Sequence, residues 1–131
     1  MIKDGPIPRA LHGLIEYVAA ALFIVAPFVL SFDSDAATAA SIVAGVLVLV
    51  IAAATDGPTS LVNSIPLAAH ILLDYLLVAA LIAAPFLFGF SDETEPTAFF
   101  IALGVLHLLV TIATRFRPRG EAGRARRAAA R

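Results

Sequence analysis

The sequence predicts an all-α membrane protein with four transmembrane helices, arranged as two tandem helical hairpins related by a pseudo-two-fold along the membrane normal. Three observations lead there. The 131 residues are 60% apolar and only 15% charged, against roughly 45–50% and about 25% in an ordinary soluble domain. The apolar residues gather into four long stretches separated by short polar turns. The second pair of stretches also repeats the first.

The four stretches run from Leu11 to Phe32, Ala36 to Ala54, Leu67 to Phe90 and Thr97 to Thr114, which is 22, 19, 24 and 18 residues. At about 1.5 Å per residue they extend roughly 27–36 Å, enough for a hydrocarbon core of about 30 Å. The first follows Lys3 and Arg9, as a signal peptide would, but a near copy recurs inside the chain where nothing is cleaved, so it is a span. The second follows the polar turn Asp33-Ser34-Asp35 and carries Ala37, Ser41 and Gly45 four apart on one face, a seam of small residues suited to close helix packing in lipid. Asp56-Gly57-Pro58 ends it. Ser64 is expected to cap the third helix, with Pro66 in its first turn, and Thr94-Glu95-Pro96 marks the start of the fourth. Residues 1–114 then form a single transmembrane domain, with repeat one at 7–55 and repeat two at 65–114. Residues 115–131 form a basic tail expected to be flexible.

Charge sets the expected orientation. Positive residues near span ends stay cytoplasmic; the hairpin turns contain no Lys or Arg, whereas Lys3 and Arg9 precede the first span and seven arginines follow the last. Both termini are therefore expected inside. Of the tail arginines, Arg115, Arg117 and Arg119 lie nearest the membrane and are expected to meet anionic lipid headgroups, at about 1 kcal/mol per residue. Asp33, Asp35, Asp92, Glu93 and Glu95 read as solvated markers of the outer turns. Nothing in the tail supports nucleic-acid readout, and no nucleic-acid partner is expected.

The repeat is explicit at residue level. A shift of 58 superposes Ile7-Pro8 on Ile65-Pro66, His12 on His70, Glu16 on Asp74, Tyr17 on Tyr75, Ala26-Pro27-Phe28 on Ala84-Pro85-Phe86 and Phe32 on Phe90, with 12 identities in the 26 positions from Ile7 to Phe32. A shift of 59 then aligns Thr38 with Thr97, Gly45-Val46-Leu47 with Gly104-Val105-Leu106 and Thr55 with Thr114. A two-helix hairpin with a Pro-aromatic motif in its first helix and a Gly-Phe or Ser-Phe ending resembles the SPW repeat family of small bacterial and archaeal membrane proteins. Ala26-Pro27-Phe28 and Ala84-Pro85-Phe86 stand where that family has Ser-Pro-Trp. The resemblance implies a prokaryotic membrane protein with this architecture and brings no catalytic residues.

Pro27 and Pro85 are expected to free the carbonyls of Phe23 and Leu81 and to kink their helices. Intramembrane ionisable residues are the principal functional lead, because a charge near a helix centre costs roughly 2.5–3.5 kcal/mol on insertion scales. His12 and Glu16, like His70 and Asp74, are four apart and can pair locally; Tyr17 and Tyr75 adjoin the acids. His107, whose counterpart in repeat one is Val48, falls at the depth of Asp74, so those two can meet across helices.

Three readings of this cluster follow: interhelical hydrogen-bond partners, a proton or cation relay through Glu16, Asp74 and His107, or a site for a metal or cofactor. The last would use the two His and two carboxylates around the pseudo-axis, or a haem between His70 and His107. No metal or cofactor is assigned from sequence, since no Cys occurs and no His spacing has a metal signature. Nor is there a paired nucleophile and base or a phosphate loop. The expectation is a non-enzymatic accessory or scaffold module that associates with itself or with a larger membrane complex. The alternative is a transporter or channel component built on Glu16, Asp74 and His107.

Overall fold

The computed structural model describes residues 5–116 and 127–131. Its four helices are α1 (Arg9–Val29), α2 (Asp35–Ala54), α3 (Leu67–Leu87) and α4 (Thr94–Ala113), each of 20 or 21 residues. At about 1.5 Å per residue each is close to 30 Å long, and all four are long and apolar enough to cross a membrane. They pair chiefly as hairpins, α1 with α2 and α3 with α4. The expected fold class is the observed one.

Two short parallel pairings express the duplication. β1 (Ile7–Pro8) runs beside β2 (Thr114–Arg115), with Ile7 opposite Thr114. An isolated parallel bridge joins Thr55 to Ile65. Because Ile65 corresponds to Ile7 and Thr55 to Thr114, this is one pairing made twice. Each ties the start of one repeat to the finish of the other, at the end of the bundle where the described chain begins and α4 finishes. We call this the terminal end and the opposite one the turn end.

Helix limits depart from the apolar stretches at the turn end. α1 stops at Val29 and α3 at Leu87, three residues short of Phe32 and Phe90. Pro27 and Pro85 therefore sit in the last helical turn, and the chain leaves through a left-handed residue, Ser31 (φ 52°) or Gly89 (φ 75°). The Phe32 N–H then donates to the Pro27 carbonyl at 3.0 Å and that of Phe90 to the Pro85 carbonyl at 2.9 Å. The prolines thus shape helix ends, leaving only two helical residues beyond each for a kink to displace. Apolarity continues past the helix because it follows the surroundings of the side chain, not the backbone hydrogen bonding. The Ser64 cap is also corrected: the N-cap of α3 is Pro66, without a side-chain cap bond. Ile65, the residue before Pro66, is held extended and bridges to Thr55, so Ser64 lies outside the helix start and donates its N–H to the Ala54 carbonyl at 2.9 Å.

The small-residue seam packs inside the first hairpin. Ala37, Ser41 and Gly45 are buried, and a Cβ on Gly45 would come within 2.7 Å of the Ala20 carbonyl oxygen. Towards the turn end the core is aromatic, with Phe23 edge-on to Phe99 and Phe100 at centroid distances of 5.2 and 5.7 Å and Phe90 at 5.2 Å from Phe100. Phe28, Phe86 and Phe88 point outwards and are exposed. Glu93 is more than a solvated marker: its carboxylate accepts the backbone N–H groups of Asp33 (2.6 Å) and Ser34 (3.0 Å), clasping the two hairpins at the turn end.

Candidate functional site

Four ionisable side chains meet at the terminal end: His12 and Glu16 from α1, His70 and Asp74 from α3. All four are only 2–3% exposed. The i,i+4 spacing puts each His above its own acid, at 3.6 Å for His12 Nε2 to Glu16 Oε1 and 3.5 Å for His70 Nε2 to Asp74 Oδ1. The contacts between repeats are shorter, with His12 Nε2 to Asp74 Oδ2 and His70 Nε2 to Glu16 Oε1 both at 3.3 Å. The two Nε2 atoms face each other at 3.5 Å. Every distance has a partner of nearly equal length under the repeat correspondence, so the pseudo-two-fold axis passes between the histidines.

A ring of hydroxyls orients the imidazoles. Nδ1 of His12 lies 2.8 Å from Thr114 Oγ1, and Nδ1 of His70 lies 2.8 Å from Thr55 Oγ1. Each threonine spends its only proton elsewhere, Thr114 on the Val110 carbonyl and Thr55 on the Ile51 carbonyl, both at 2.6 Å. Both Nδ1 atoms are therefore the donors to the threonines. Phe116 lies against the two rings, with its centroid 5.3 Å from that of His12 and 6.5 Å from that of His70.

The symmetry breaks around the acids. Asp74, the shorter side chain, is supported from α4, where Thr111 Oγ1 donates to Oδ2 at 3.2 Å. His107 Nε2 lies 3.3 Å from Asp74 Oδ1 but is buried without an aligned hydrogen-bond partner among the described residues. The counterpart of Thr111 is Ala52, and on that side Glu16, His12 and His70 border a cleft of about 30 Å³ with Asp56, Thr59 and Arg9 nearby. Arg9 is anchored there by a 2.6 Å hydrogen bond from Nη2 to the Asp56 carbonyl.

The expected cross-helix contact of Asp74 with His107 is thus present, and both local His–acid pairs form. Tyr17 and Tyr75 do not join the group: the Tyr17 hydroxyl donates to the Thr59 carbonyl at 2.8 Å, and Tyr75 is half-buried on α3. Arg115 Nη1 donates to the Gly5 carbonyl at 3.4 Å; Arg117, Arg119 and most of the tail expected to be flexible lie outside the described residues. Sequence reasoning missed Thr55, Thr114, Thr111 and Phe116. The alignment of Thr55 with Thr114 across the repeats was the available signal for the first two.

Chemically, the four residues offer two imidazole nitrogens and two carboxylates, with ligand atoms all within 4.8 Å of one another, so they can hold a metal ion. For a haem between His70 and His107 the described residues offer little room: the clefts that border these two rings are about 30 and about 20 Å³. No curated protein and no solved structure matches the chain. Residues 9–114 match the SPW repeat domain, a span that contains all four helices and all of this polar cluster, and the chain belongs to that family of membrane proteins.

Proposed function

We propose that the protein is a non-catalytic accessory or scaffold module that associates with itself or a larger complex in a prokaryotic cell membrane. Both termini are cytoplasmic in this reading, with Arg115, Arg117 and Arg119 near the inner headgroups. The observation that carries it is an apolar groove of about 440 Å³ along the flank between α2 and α3. Its walls include Ala36, Ala39, Ala40 and Ala44 on one side and Ala80 and Ala84 on the other. Small residues four apart on both walls let a further transmembrane helix approach closely, and van der Waals packing drives helix association in lipid. The aromatic plug of Phe23, Phe90, Phe99 and Phe100 fills the bundle at the turn end, which favours this reading over a pathway through one chain.

Extraction of the tagged protein in mild detergent tests the proposal: a stoichiometric partner or a stable homo-oligomer is expected, and Ala39→Leu with Ala80→Leu should abolish it by filling the groove. A monodisperse monomer under every mild extraction would sink it. A second reading, a proton or cation transport component, is favoured by the position of Glu16 beside the cleft at the terminal end. Proton flux into liposomes containing this protein alone, lost in Asp74→Asn, would establish that reading instead.

A further inference from the structure

We propose that His12, Glu16, His70 and Asp74 form a binding site for one divalent first-row transition-metal ion, zinc fitting best, held on the pseudo-two-fold axis between the two repeats. The site stands on its own geometry and does not depend on how the groove is used.

The first support is the shape of the cluster. Zinc bound to His nitrogen and carboxylate oxygen at about 2.0–2.2 Å in a tetrahedron requires its ligand atoms to lie about 3.3–3.6 Å from one another. Each Nε2 lies 3.3–3.6 Å from Glu16 Oε1 and from one Asp74 oxygen, Oδ2 for His12 and Oδ1 for His70, the two Nε2 atoms are 3.5 Å apart, and one ligand atom from each of the four residues lies within 4.8 Å of all the others. Charge-assisted hydrogen bonds between an imidazolium and a carboxylate would instead be about 2.7–2.9 Å. The spacing suits an atom placed between the groups better than protons shared along the edges.

The second support is the polarity of the groups. With both Nδ1 atoms donating to Thr114 and Thr55, a neutral imidazole presents the lone pair of Nε2 to the centre. Two such lone pairs and two carboxylates converge on one point, all acceptors, at 2–3% exposure. A divalent cation supplies what is missing and cancels the two carboxylate charges. Neutral imidazole fixed through its far nitrogen, and a carboxylate steadied by Thr111, are the outer contacts that metal ligands characteristically have.

A third observation is independent of the four ligands. His107, with a side chain 7% exposed, directs a buried and unaligned Nε2 at Asp74 Oδ1 from 3.3 Å. An ion drawing on that carboxylate would let the ring settle as a positioning donor. The cleft beside Glu16 gives the ion its approach, past Asp56 and Thr59. Nitrogen and oxygen donors without sulfur suit zinc and its first-row neighbours. Four protein ligands leave no open coordination position, as in structural rather than catalytic centres.

The test uses the full chain in detergent, stripped with a chelator, reloaded with zinc or cobalt(II) and desalted. One zinc per chain is expected, together with the intense visible absorption of four-coordinate cobalt. Glu16→Gln should lose both. The pair Thr55→Val with Thr114→Val, which leaves the ligands in place, should weaken zinc binding about 10–100-fold. Helical, monodisperse wild-type protein that retains no stoichiometric zinc and shows no cobalt band overturns the site, as does Glu16→Gln binding zinc as tightly as wild type. If Glu16→Gln does not fold, the threonine pair decides, and unchanged affinity there counts against the site.

Discussion

The two ends of the bundle hold the hairpins together by opposite means. In the interior of the turn end the contacts are aromatic and apolar, with Phe23, Phe99 and Phe100 edge-on at 5.2–6.3 Å, and the Glu93 clasp lies outside them. At the terminal end, five ionisable side chains and three threonine hydroxyls meet in the interior. In water both arrangements would be judged against solvent. In lipid, hydrocarbon tails are as apolar as the core, so aromatic packing gains only its van der Waals fit. The polar cluster finds no comparable partners in the tails, and separating the hairpins would leave its charges uncompensated. The apolar end therefore fills space, and the polar end specifies which surfaces of α1 and α3 face each other.

The largest expected effect comes from dividing the polar end against itself. His12→Leu takes from both buried carboxylates, Glu16 and Asp74, a polar group that faces them and should cost about 3–5 kcal/mol. Replacing His12, Glu16, His70 and Asp74 together with apolar residues of similar size should recover most of that loss. Equilibrium unfolding in mixed micelles measures both; a quadruple variant weaker than His12→Leu would remove the contrast between the ends. At the apolar end, Phe100→Ala loses no transfer energy in lipid but opens a cavity, for about 2 kcal/mol in the same assay. A cost as large as that of His12→Leu would mean that the aromatic packing does more than fill space.

Smaller effects separate the repeats near the turn end. Ser41 Oγ donates at 2.5 Å to the Phe23 carbonyl, the one that Pro27 leaves free. Ser41→Ala should cost about 1 kcal/mol. In repeat two that position is Phe100, which has no donor, so the proline of repeat two is accommodated without this bond. Ser31→Gly should add about 1 kcal/mol, because Ser31 holds a left-handed conformation that its counterpart Gly89 adopts freely. An unchanged midpoint would show that the strain at Ser31 is relieved in some other way.

These differences also mark how far the sequence could be read. The four spans, the hairpin order and the meeting of Asp74 with His107 were legible, because apolar length, the repeat and depth along a helix are all linear properties of the chain. Ser64 misled because a local capping pattern yielded to the extended pairing beside Pro66. The shorter His12–Asp74 and His70–Glu16 contacts were not legible, since helical spacing suggests the partner four residues away and only the rotation between repeats brings the other acid closer. Thr55 and Thr114 were visible as a repeated pair, but helix-terminal threonines have many uses. Their role emerges only when the end of one repeat is seen beside the histidine of the other.

That reciprocal arrangement, with each repeat completing the other at Ile7–Thr114 and Ile65–Thr55, has an evolutionary consequence. A single hairpin would carry half of the polar cluster and would need an identical copy to finish it, so any change on one side would be imposed on the other. Joining two copies in one polypeptide lifts that constraint. Val48 and His107, Ala52 and Thr111, Ser41 and Phe100 are places where the linked copies have since taken separate paths around a centre they still share.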